Sequence, residues 1–228
     1  MSTKFFTTKT KLAEILHTNL QLVVLFPRLN ILLGFGEKNI EQYCKKHHLS
    51  EDFIVLMCNV YTFNEYQPSH NDIINVNNNN LIQFLLSSHE YYLKERIPHI
   101  SNHLHKTIIN ASQDISNIVL QFFNEYQKEV KKHFRYEEKE IFPYMYDIQN
   151  KAKVQSKNKT LFEKHHTNIE DKLNDLINIV IKYLPSQWQN QDRISLLMDL
   201  SFLLQDMKKH AIIEEKILIP YIKYLEEL

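Results

Sequence analysis

The phrase KKHFRYEEKEIFPY, from Lys131 to Tyr144, returns 77 residues later as KKHAIIEEKILIPY, from Lys208 to Tyr221. Each copy lies in a stretch whose apolar residues recur at helical spacing. Around the first these are Ile115, Val119, Phe122, Tyr126, Val130 and Ile141. A similar stripe, Leu81, Leu85, Tyr92, Leu93, Ile97, Ile100 and Leu104, precedes it. Four long amphipathic segments follow from this reading, at roughly 80–105, 112–147, 159–184 and 190–226, separated by polar stretches. With 2 Gly and 6 Pro in 228 residues, the chain has little turn chemistry for many short strands. The expectation is an all-α protein with a C-terminal up-down-up-down four-helix bundle over residues 81–228.

The bundle is preceded by NEYQPSHNDIINVNNNN, an Asn-rich tract with one Pro and no sustained period, read as a linker over 64–80. Shorter helical patterns at 9–30, 37–47 and 50–62, broken by Gly34 and Gly36, predict a small helical N-terminal domain over 1–63. Ser50, followed by Glu51 and Asp52, marks a helix start.

Both repeated phrases place a histidine four residues before a glutamate, as His133/Glu137 and His210/Glu214. That spacing stacks the two side chains on one helix face. Taken singly the pattern is weak, because most such pairs are surface contacts. Here, however, the pairs continue the apolar stripes, His133 after Val130 and His210 after Leu203 and Met207, so they face the core. A buried carboxylate is costly unless paired or metal-bound. Two of them on stripes without Lys or Arg call for a cation.

The other two segments supply His89 and His166, each on an apolar stripe. A lone histidine there is more often structural, but spacing ties these two to the pairs. His89 precedes His133 by 44 residues and His166 precedes His210 by 44, so all three positions repeat at the offset of 77. Adjacent His165 and Glu90 break this spacing. Four imidazoles and two carboxylates suit first-row transition metals rather than Mg²⁺ or Ca²⁺, and iron best of these. Two matching ligand sets suit a dinuclear site.

The order His…HxxxEE…His…HxxxE over residues 81–228 resembles the hemerythrin-like cation-binding domain. With the segment KLAEILHTNLQLVVLFPRLNI and the Gly turn before it, the whole chain resembles the di-iron repair-of-iron-centres proteins. The resemblance implies iron ligands at His89, His133, Glu137, His166, His210 and Glu214, with both glutamates bridging. It implies a non-haem centre of two iron ions, oxo- or hydroxo-bridged, and a role in repairing iron–sulfur clusters damaged by oxidative or nitrosative stress. O2 and NO, or damaged iron–sulfur proteins, are the expected partners, with a homodimer left open. An O2- or NO-binding or sensing protein without catalysis is the alternative. Two departures stand out. Ile31-Leu32-Leu33 precedes Gly34 where the family often has adjacent cysteines. Counted back from Pro98, the family's first histidine falls on Glu90, which keeps a carboxylate ligand there in play.

Net charge is zero, which argues against a dedicated nucleic-acid binder. No apolar run is long enough to span a membrane. Cys44 and Cys58 form no metal or disulfide motif, and the first residues lack a signal-peptide pattern, so a cytoplasmic setting is expected. His99, His103 and His105 read as solvated residues near a helix end. Glu138 and Glu215 read either as supports for the ligands or as surface ion-pair partners.

Overall fold

The structure, a computed structural model, describes residues 4–108, 112–150, 159–184 and 190–228, with side chains described outside 159–168 and 190. It is all-α, with no strand among the described residues. The helices are α1 Leu12–Thr18, α2 Leu22–Arg28, α3 Ile40–His47, α4 Glu51–Thr62, α5 His70–Ile74 and α6 Asn78–Glu90. They continue with α7 Ile97–Ile108, α8 Gln113–Tyr136, α9 Phe142–Gln149, α10 Lys159–Lys182, α11 Asn190–Ile213 and α12 Ile219–Glu226. Among the described residues, no helix is long and apolar enough to cross a membrane. The chain forms two compact units, one of Met1–Ser87 with Lys209–Leu228 and one of Ser88–Lys208.

In the first unit, Leu12, Ile15, Leu22, Leu25, Phe26 and Ile31 are fully buried. Each such side chain contributes roughly 1.5–3 kcal/mol by leaving water. Asn59 is buried too, and its amide is satisfied at both ends. It accepts from the Phe6 N–H at 2.8 Å and donates to the Phe6 carbonyl at 3.0 Å, fixing the entering chain. Helix α3 opens with a capping box between Asn39 and Gln42, and Ser50 caps α4 as expected. Cys44 and Cys58 are free thiols inside this core. Burial pushes the Cys44 thiol up to about 11 and that of Cys58 higher still.

The stretch read as a linker is structured. Ser69 and Asp72 form a reciprocal capping box that starts α5, and the Asn tract enters the first turn of α6. The C-terminal segment fastens this stretch within the same unit. Lys216 Nζ donates to the carbonyls of Asn64 at 2.9 Å and Tyr66 at 2.7 Å, while Lys209 Nζ donates to Asn64 Oδ1 at 2.7 Å. His70 meets Tyr224 edge-on. Composition favoured an open tether; capping and these contacts outweigh it.

The second unit is built on a continuous apolar core from α7, α8, α10 and α11. Ile100, Leu104, Val119, Tyr126, Val130 and Leu203 of the stripes read from sequence are fully buried together with Leu173 and Leu176, while Ile115 and Phe122 are half-buried. Ser112 caps α8 by accepting from the Ile115 N–H.

Three short π turns interrupt otherwise continuous helices: Tyr91–Arg96, Glu137–Ile141 and Glu214–Leu218. Each ends just before a proline. The N–H of Ile97 bonds to the Tyr92 carbonyl, that of Phe142 to Glu137 and that of Ile219 to Glu214. Those are five-residue reaches ahead of Pro98, Pro143 and Pro220. Proline inside an α-helix lacks the N–H and crowds the carbonyl four residues back. A widened turn takes up that conflict locally, so the helix passes through the proline instead of ending there.

Candidate metal centre

Helix α8 brings His133 and Glu137 onto one buried face, with His133 Nε2 3.3 Å from Glu137 Oε1. Glu137 is the first residue of its π turn and is fully buried. At the end of α6, His89 directs Nε2 to Glu137 Oε2 at 3.0 Å. Its other nitrogen, Nδ1, lies 2.8 Å from Glu138 Oε1. The ring stacks on Phe134, with centroids 3.9 Å apart and planes within 10°. One imidazole is thus held on three sides.

Glu138 sits at the surface edge, and the His89 hydrogen bond holds its carboxyl below the usual range. An ionised Glu138 accepts a hydrogen bond from Nδ1–H, which fixes the tautomer of a neutral His89. The Nε2 lone pair then faces a Glu137 oxygen at 3.0 Å. Two lone pairs so placed repel unless a cation, proton or metal, lies between them. This donor set fits a metal ion.

The second phrase repeats the arrangement. His210 Nε2 is 2.9 Å from Glu214 Oε1, both side chains are buried, and Glu214 again begins a π turn. His89 and Glu137 in the Ser88–Lys208 unit, and His210 and Glu214 in the other unit, are thus two buried pairs of metal-ligating side chains. His166 lies in α10, but its side chain, like that of His165, lies outside the described residues. Glu90 is exposed and pairs with Lys94 at 2.6 Å, so the structure turns it away from this group.

Two features escaped the sequence reading. Asp206 is buried one turn before His210 in the same helix, a position visible as a step of three from Leu203. Nearby, burial and the charge of Asp206 push the Tyr126 hydroxyl far above its ordinary range. The solvated reading holds for exposed His99 but not for half-buried His103, and both reach Asp199, a residue of α11. His105 is exposed, with Nδ1 bonded to the Ser101 carbonyl one turn back.

Residues 80–222 match the family described as the hemerythrin HHE cation binding domain, a span that contains all six expected ligands. No curated protein matches the chain in sequence.

Proposed function

Because the chain belongs to the hemerythrin HHE cation binding domain family, we propose that His89, His133, Glu137, His166, His210 and Glu214 would hold two iron ions. The observation that carries this reading is the fully buried Glu137 with the Nε2 atoms of two histidines turned towards it at 3.0 and 3.3 Å. When bound, the metal supplies one-electron redox chemistry and open positions for O2 or NO. The chain's own groups set the conditions for it. Glu138 keeps the Nδ1 proton on His89, the stacked Phe134 bars water from that ring, and the two π turns begin at the carboxylates.

The physiological role we propose is repair of iron–sulfur centres damaged by oxidants or nitric oxide. Its test is recovery of activity by a damaged cluster enzyme on adding the iron-loaded protein. A His133→Ala/His210→Ala variant is expected to restore nothing, and equal recovery with that variant would sink the proposal. A second reading, reversible binding or sensing of O2 or NO, has an observation in its favour. Both thiols of the N-terminal unit are buried and raised, leaving that unit no reactive thiolate for cluster chemistry. A reversible spectral change with O2 or NO, without turnover or client recovery, selects this second reading.

A further inference from the structure

A separate group of potential ligands lies in the Ser88–Lys208 unit. His99 and His103 stand four residues apart on α7, so their rings share one face. Both point at the same atom: His99 Nε2 is 3.2 Å from Asp199 Oδ2, and His103 Nδ1 is 2.8 Å from it. The other carboxylate oxygen is committed elsewhere. Arg96 donates to Oδ1 at 2.8 Å and to the Asp199 carbonyl at 3.0 Å, which fixes the carboxylate's orientation. Burial works to raise the Asp199 carboxyl, but the His103 hydrogen bond and the Arg96 charge outweigh it, leaving it ionised.

The His103 and Asp199 side chains are 18% exposed and that of His99 is 59% exposed. His99 lies ten residues beyond His89, roughly 15 Å further along a helical path, so this group is distinct from the buried centre. Donors around a tetrahedral ion at ~2.0–2.1 Å are themselves ~3.3 Å apart. The observed 2.8 and 3.2 Å separations need only a small side-chain adjustment to reach that spacing.

We propose that His99 Nε2, His103 Nδ1 and Asp199 Oδ2 form a second, mononuclear site for a borderline divalent cation of the Zn²⁺ class. Two imidazoles and one carboxylate select first-row transition cations over Mg²⁺ and Ca²⁺. Three protein donors beside an exposed ring leave a coordination position for water or an incoming group, as in open rather than closed zinc sites. Arg96 holds the carboxylate from behind, the part that outer hydrogen bonds play for metal-bound acids.

The test uses the full-length protein with its resident metal. It is exposed to Zn²⁺, passed through a desalting column and analysed for zinc, alongside a His99→Ala/His103→Ala variant and Asp199→Asn. Wild type is expected to retain one zinc per chain more than either variant. His99→Ala alone removes an exposed ring without touching the core, and is expected to weaken zinc binding at least tenfold by calorimetry. It therefore decides the matter if the double variant does not fold. Equal zinc retention by wild type and all variants would overturn the site. The count is a difference between variants, so it holds whether or not the buried centre takes up iron.

Discussion

The two copies of the repeated phrase, 131–144 and 208–221, agree wherever a ligand or a proline is concerned and diverge on their outer faces. Both present a buried His–Glu pair, a π turn beginning at the glutamate and a proline that the helix passes through. In the first copy Arg135 and Glu140 are exposed. Their counterparts in the second are Ile212, half-buried, and Ile217, fully buried. The second copy also carries Lys209 and Lys216, which clasp Asn64 and Tyr66 of the same unit. Burial even pushes the Lys209 ammonium below its usual range, with the charge of Lys216 adding to the effect. The chemistry of the two phrases is held constant while the second has acquired an additional packing duty.

If the ligand halves are equivalent, Glu137→Gln and Glu214→Gln each lower iron content to a similar degree, and together they take it from two ions towards none. Elemental analysis with the optical spectrum reads this, and a large effect of only one substitution would break the equivalence. Next in size is the packing difference. Ile217→Glu, which copies the first phrase into the second, buries a charge and is expected to cost about 3 kcal/mol in chemical denaturation. The reciprocal Glu140→Ile should stay within about 0.5 kcal/mol. Lys216→Ala removes two charge-assisted hydrogen bonds and should cost about 1–2 kcal/mol, whereas Lys139→Ala at the matching exposed position should leave the midpoint unchanged.

The smallest effect concerns pH. Glu138 is held below the normal carboxyl range by His89, so its folded-state value is depressed. Its stabilising share is therefore present above the unfolded value, roughly 4.3, and lost as pH falls through the lower folded value. Replacing Glu138 with Gln should flatten that acid limb of an unfolding curve.

Much of this was legible in the residues themselves. The i,i+4 pairs on apolar stripes pointed to the buried faces, and the 44-residue spacing preferred His89, which is buried, to Glu90, which is exposed. What escaped was of two kinds. The π turns have no side-chain pattern of their own; their one cue is a proline where a helix continues. Contacts such as Asp199 with His99 and His103, or Lys216 with Asn64, join residues about 100 or more positions apart, and spacing says nothing about such pairs. The Asn-rich stretch misled for a related reason: its composition disfavours helix, but a capping box and tertiary hydrogen bonds decide the outcome.

The two buried thiols turn the N-terminal unit into its own stopwatch. A protonated thiol sealed in a core reacts with an alkylating reagent only when the structure around it opens. Cys44 is 2% exposed and Cys58 not at all, so their labelling rates report how often each half of that small core breathes. Because Cys44 lies on α3 and Cys58 on α4, unequal rates would trace the order in which the unit comes apart.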